Sequence, residues 1–173
     1  MRLSATIEKP ITNDATMWGI TQEADAMTLF IKKHPHLNVS YFGVTNPKYY
    51  EYNDFVGGSP DGIFTSHNDD GGIIEIKCPF NTTAHLRHLR VVDATSLLDI
   101  SPEYYWQIVA NMLFTGTKMG YFVSYDPRII KDNLVLHIVP IIPTDSDIEL
   151  LKERIAKAVK FLRTEVGILT EMY

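Results

Sequence analysis

Two short stretches constrain this chain more than any others: Ser59-Pro60-Asp61-Gly62 and Ile74-Glu75-Ile76-Lys77-Cys78. The second alternates apolar and charged residues, and alternate residues of a strand share a face. Glu75 and Lys77 are therefore expected on one side, with Ile74, Ile76 and Cys78 turned into the core on the other. A carboxylate and an ammonium are then held about 6–7 Å apart along one half-buried strand. Between the two stretches, His67-Asn68-Asp69-Asp70-Gly71-Gly72 predicts a tight reversal. Folding that hairpin brings Asp61 alongside Glu75.

The rest of the chain supplies elements to pack on such a hairpin. Apolar residues recur at helical spacing from about Thr16 to Lys33, with Asn13 or Asp14 as the cap and Pro35 as the stop. Residues 37–44 predict a strand, and the Gly- and Asp-punctuated region from Phe55 to Lys77 predicts short strands. Ser101-Pro102-Glu103 predicts a helix with Ser101 as cap, running to about Thr115 and closed by Gly116. Residues 119–125 and 133–141 predict two more strands around an Asp126-Pro127-Arg128 turn. From about Asp145, Ile148, Leu151, Ile155, Val159, Leu162 and Val166 make one apolar stripe on a long terminal helix. A helix covering the sheet or one receiving a partner would both show that stripe. The order points to one α/β (α+β) domain over residues 1–173, a mixed central sheet flanked by helices, with residues 1–12 as a lead-in.

Two carboxylates and a lysine have a definite chemical use. Mg2+ takes oxygen ligands, commonly one or two carboxylates, waters and phosphate oxygens. It lowers the pKa of bound water and neutralises charge developing on phosphorus. A lysine beside it can orient or deprotonate the attacking water, or steady the transition state; the Ile76 carbonyl is a further oxygen donor. Taken separately, Glu-x-Lys suits any solvated strand and Pro-Asp-Gly any ordinary turn. Their conjunction across a hairpin is what points to phosphodiester hydrolysis.

Composition narrows the partners. A net charge of −5 excludes a globally basic nucleic-acid coat but not a nucleic-acid substrate held in one positive groove. The single cysteine excludes a disulfide framework, and the 6 histidines lack zinc-ligand spacing. No apolar run reaches the roughly 18 residues that span a bilayer, and no secretory signal opens the chain, so a cytoplasmic location is expected.

Across residues 17 to 165 the chain resembles the lambda-exonuclease type (YqaJ-like) viral recombinases of the PD-(D/E)xK nuclease superfamily. SPDGIF and GGIIEIKCPF look like the family's core; MWGITQEADAMTLF is similar to its first helix, EYYWQIVANMLFTG to its Gln-bearing helix, and YFVSYDPR to its strand ending in Asp-Pro-Arg. The resemblance implies a restriction-endonuclease-like core. It implies Asp61, Glu75 and the Ile76 carbonyl as ligands of Mg2+ (with Mn2+ substituting), Lys77 as the catalytic lysine, Glu23 toward the metal or its water, and Gln107 positioning the lysine or the phosphate. It implies Ser59 on a DNA phosphate, or serving the turn. Arg2-Leu3-Ser4-Ala5-Thr6 resembles a stretch that captures a 5′-phosphate, which places Thr6 there; the rest of the family's N-terminal region is expected to be mostly absent. Residues 81–90, with Thr82, Thr83, His85, Arg87, His88 and Arg90, are a DNA-tracking segment or a solvated loop. Arg128 touches phosphate or serves its turn, and Trp18 is expected to pack.

The implied activity is a Mg2+-dependent exonuclease, 5′-to-3′ on linear double-stranded DNA, in phage-type recombination in the host cytoplasm. Its implied partners are a single-strand annealing protein and copies of itself, since some relatives form trimeric rings. The alternatives are a nicking or structure-selective endonuclease on the same core, or a catalytically silent DNA-binding protein.

Overall fold

The computed structural model describes residues 13–44, 46–66 and 71–172, with side chains to 168. Thr6 and most of the reversal after β4 lie outside the described residues. Helix α1 (Asp14–Lys33) is capped by Asn13, whose side chain accepts from the Thr16 N–H at 2.9 Å. It buries Ala26, Met27 and Phe30. Strand β1 (Asn38–Tyr41) is shorter than the expected 37–44. Strands β2 (Tyr50–Asn53) and β3 (Val56–Gly58) pair as a separate hairpin, and β2 precedes the region in which strands were expected. Then come β4 (Gly62–Thr65) and β5 (Gly71–Lys77), antiparallel, with Gly62 opposite Ile74.

The crossover from β5 carries three helices, α2 (Thr82–His88), α3 (Ala94–Ile100) and α4 (Pro102–Thr115), and returns in β6 (Met119–Tyr125). Strand β6 runs parallel to β5, and the short helix α5 (Asp132–Val135) leads into antiparallel β7 (Leu136–Ile141). The sheet order is β1-β4-β5-β6-β7, a mixed sheet with helices on it, as expected. Long helix α6 (Asp145–Met172) closes the described chain, and among the described residues no helix is long and apolar enough to cross a membrane.

Three expectations are corrected. Strand β5 is buried on both faces: Ile73, on the Glu75 side, joins a core with Tyr105, Ile108 and Met112 of α4, while Ile74 and Ile76 meet Met27 and Phe30 of α1. A central strand with a parallel neighbour is covered twice, so only its C-terminal end stays open. Residues 82–88 are a helix rather than a loop, with His85 and His88 buried. Ser101 heads α4, but its side chain makes no capping bond. It also ends α3, where its N–H donates to the Leu97 carbonyl at 2.8 Å, so its backbone serves both helices. Gly116 closes α4 in the left-handed region at φ 72°.

Helix α6 rests on α4 through its first turns, with Ile148 and Leu151 against the core and Val159 buried. Further along, Phe161, Leu162 and Ile168 are exposed.

Candidate active site

The open end of β5 gathers polar side chains from β5, α1, α4 and the segment leading into β4. Asp61, just before β4, falls level with Glu75 by the register, and its Oδ2 accepts the Ile76 N–H at 2.6 Å. Glu75 is 1% exposed. Its Oε1 accepts from Lys77 Nζ at 2.7 Å, and its Oε2 from Asn111 Nδ2 of α4 at 3.0 Å. Lys77 Nζ also donates to Gln107 Oε1 at 2.9 Å and lies 4.8 Å from the centre of the Tyr104 ring. Glu23 of α1 approaches from the other helix layer, its Oε1 accepting from the Tyr41 hydroxyl at 3.0 Å. A cleft of about 200 Å³ opens here, lined by Gly19, Glu23, Ile76, Lys77, Cys78, Pro79 and Tyr104.

The electrostatics show an excess of carboxylate. Burial pushes the Asp61 carboxyl well above its ordinary range; Glu75 and Glu23 push it further, against the Ile76 N–H and Lys77. Glu23 is also raised, by burial first, with Glu75 adding to it and the Tyr41 hydroxyl opposing. Burial works to depress the Lys77 ammonium, but Glu75 and Asp61 outweigh it and hold it above the usual lysine range. Among the described residues, three acids thus share one cation here.

Among the described residues, no three side chains of His, Cys, Asp or Glu form a metal cage by themselves. A hard cation needs no such cage, because one or two carboxylates, waters and substrate oxygens suffice. The donor set fits: two carboxylates under mutual repulsion, beside the backbone of Ile76.

The remaining candidates scatter. Ser59 is exposed ahead of buried Pro60. Thr82 donates its hydroxyl to Asp126 Oδ2 at 2.8 Å, and Thr83 is exposed in the first turn of α2, where its N–H caps on Asn81. Arg128 donates to Asp126 and to the carbonyls of Phe80 and Pro79, with its guanidinium 4.3 Å from the Trp18 ring centre. The donors of Thr82 and Arg128 are thus engaged inside the chain. Behind them, the Leu134 carbonyl can only accept, so His85 Nε2 carries a proton, and His85 Nδ1 and His88 Nδ1 both bond the Ser124 hydroxyl, at 2.9 and 2.8 Å.

Sequence reasoning missed Tyr41, Tyr104 and Asn111. A signal for Asn111 existed: it stands four residues after Gln107, so both share one face of α4, in a helix otherwise apolar there.

The family model described as the YqaJ-like viral recombinase domain matches residues 3–118. Among solved structures, the chain is similar to LHK-Exo in complex with dAMP, at 27% identity and TM-score 0.72, over 93% of this chain and 74% of that one. The alkaline exonuclease LHK-Exo from Laribacter hongkongensis gives 25% identity and TM-score 0.70, over 93% and 75%. A phage related exonuclease from Haemophilus somnus shares the fold at 16% identity and TM-score 0.66, over 92% and 75%. No curated protein matches the chain in sequence.

Proposed function

The chain belongs to the YqaJ-like viral recombinase domain family and is a recombination-associated nuclease, and from that premise we propose that it is a divalent-cation-dependent exonuclease on linear duplex DNA, working 5′-to-3′. The observation that carries this reading is the crowding of Asp61, Glu75 and Glu23 around the Lys77 ammonium at the open end of β5.

Asp61, Glu75 and the Ile76 carbonyl would hold Mg2+, with Mn2+ as its substitute. The bound cation would make water a nucleophile near neutral pH and offset charge on the phosphorus. The chain's own groups do the rest. Lys77 keeps its proton, which favours a donor role toward a phosphate oxygen or the attacking water over that of a general base. Gln107 fixes the amine through its Oε1. Glu23, with its raised carboxyl, is suited to take a proton at the cleft wall. Tyr104 closes the side of the cleft against Lys77. Ser59 and Thr83, both exposed, remain the proposed phosphate contacts. An annealing protein and a homo-oligomer are the proposed partners.

The test is a time course on linear duplexes with a 5′-phosphate or 5′-hydroxyl and on a closed circular duplex, with Mg2+ or chelator. Digestion of linear DNA alone, abolished by chelator and lowered about a hundredfold or more in Asp61→Asn and in Lys77→Ala, is expected. Unchanged activity in either variant sinks the mechanism, and cutting of the closed circle makes the enzyme an endonuclease.

A further inference from the structure

Asn111 is 3% exposed on the face of α4 that carries Ile108 and Met112. A buried amide in such surroundings is unfavourable unless it is partnered. Its partner is Glu75 Oε2, 3.0 Å from Nδ2. The two oxygens of Glu75 are therefore gripped from two different elements, one by Lys77 of its own strand and the other by Asn111 across the helix layer. With one grip alone the carboxylate could turn about its terminal torsion, which is broad and soft. Two grips fix its plane and leave each oxygen a free lone pair. The amide is itself seated: Gly58 of β3 lies so close that a Cβ there would collide with Asn111 Oδ1 and press on Phe114.

We infer that Asn111 is a positioning residue that sets the plane of the Glu75 carboxylate for cation binding; this rests on the reading of Glu75 as a cation ligand. Mg2+ tolerates little departure from octahedral geometry. Loss of an outer partner of a ligand typically weakens metal affinity or activity by about 10–100-fold.

The test is a titration of the metal-free full chain with Mn2+, following free ion by electron paramagnetic resonance, with thermal melts alongside. Asn111→Leu keeps the branched shape and removes the donor; Asn111→Ala removes the donor with no clash, so failure of one to fold leaves the other decisive. Tyr105→Phe, which deletes a hydrogen bond from the same helix to Asp147, serves as the control. The Mn2+ Kd is expected to rise about tenfold in the Asn111 variants and to stay at the wild-type value in Tyr105→Phe. The Mg2+ concentration for half-maximal cleavage should rise in parallel, with a smaller fall in rate at saturating Mg2+. A wild-type Kd in the Asn111 variants, or an equal rise in Tyr105→Phe, overturns the inference. A wild-type chain that takes up no Mn2+ overturns the cation reading itself, and the inference with it.

Discussion

Asp61 and Asp126 stand beside the ends of two neighbouring parallel strands, one level with Glu75 of β5 and one just past β6, and they titrate in opposite directions. Asp126 is fully buried, and burial works to raise it, yet bonds from the Arg128 side chain and backbone and the Thr82 hydroxyl hold it below the ordinary carboxylate range. Asp61 receives the Ile76 N–H and some relief from Lys77, which burial and two more acids outweigh. Burial is common to both; what differs is compensation. A buried carboxylate with its full set of donors is a strut. One left short of positive charge among its own kind is what the proposed cation site requires.

The largest expected effects separate the two. Asp126→Ala should lose about 2–3 kcal/mol of stability, measured by denaturant unfolding, since it removes the buried acceptor of bonds from Arg128 and Thr82. Asp61→Asn should abolish cleavage yet melt at the same temperature as the metal-free wild type or higher, because it removes an uncompensated charge; a clear loss of stability would erase the contrast. Next, Thr82→Val should destabilise by about 1 kcal/mol through its bond to Asp126. A loss of cleavage without a loss of stability would instead return Thr82 to the DNA.

The smallest effect is in pH. The folded state holds the Asp61 proton more tightly than the unfolded chain does. Metal-free stability should therefore fall as pH rises from the ordinary carboxylate range toward the raised Asp61 value. Asp126 has the opposite sign: its contribution is full above the ordinary range and is lost as pH falls through its depressed value. Melting temperatures across this window should shift by a few degrees, about what 1 kcal/mol produces in a chain of this size. Asp61→Asn should flatten the decline on the rising side, and Asp126→Asn the one on the acid side.

The parts of this contrast were unequally legible in the sequence. Helices α1 and α4, the β5 alternation and the apolar stripe of α6 follow from local periodicity, and so does the placement of Asp61 level with Glu75. The Asp126 strut was opaque because its partners come from α2 and its own turn, and residues 81–90 show no apolar stripe to mark α2. His85 and His88 look solvated in sequence; they are buried because Ser124, which follows them by 39 and 36 residues, offers both a hydrogen-bond partner. Strand β2 escaped notice because the four residues Tyr50–Asn53 carry too short a pattern, while its partner β3 falls where short strands were expected. Asn111 was missed for a similar reason, since its role depends on a carboxylate 36 residues away.

Cys78, next to Lys77 and the chain's single cysteine, has its thiol pushed up to about 12, by burial first and then by Glu23 and Asp61. Near neutral pH only about one such thiol in 10⁵ is ionised at any instant. Alkylating reagents can reach this thiol from the cleft that it lines with Lys77, but should react there far more slowly than with a free thiol. Labelling speed at this native thiol therefore reads the charge around it, with no engineered probe: taking negative charge away from Glu23 or Asp61 should quicken it.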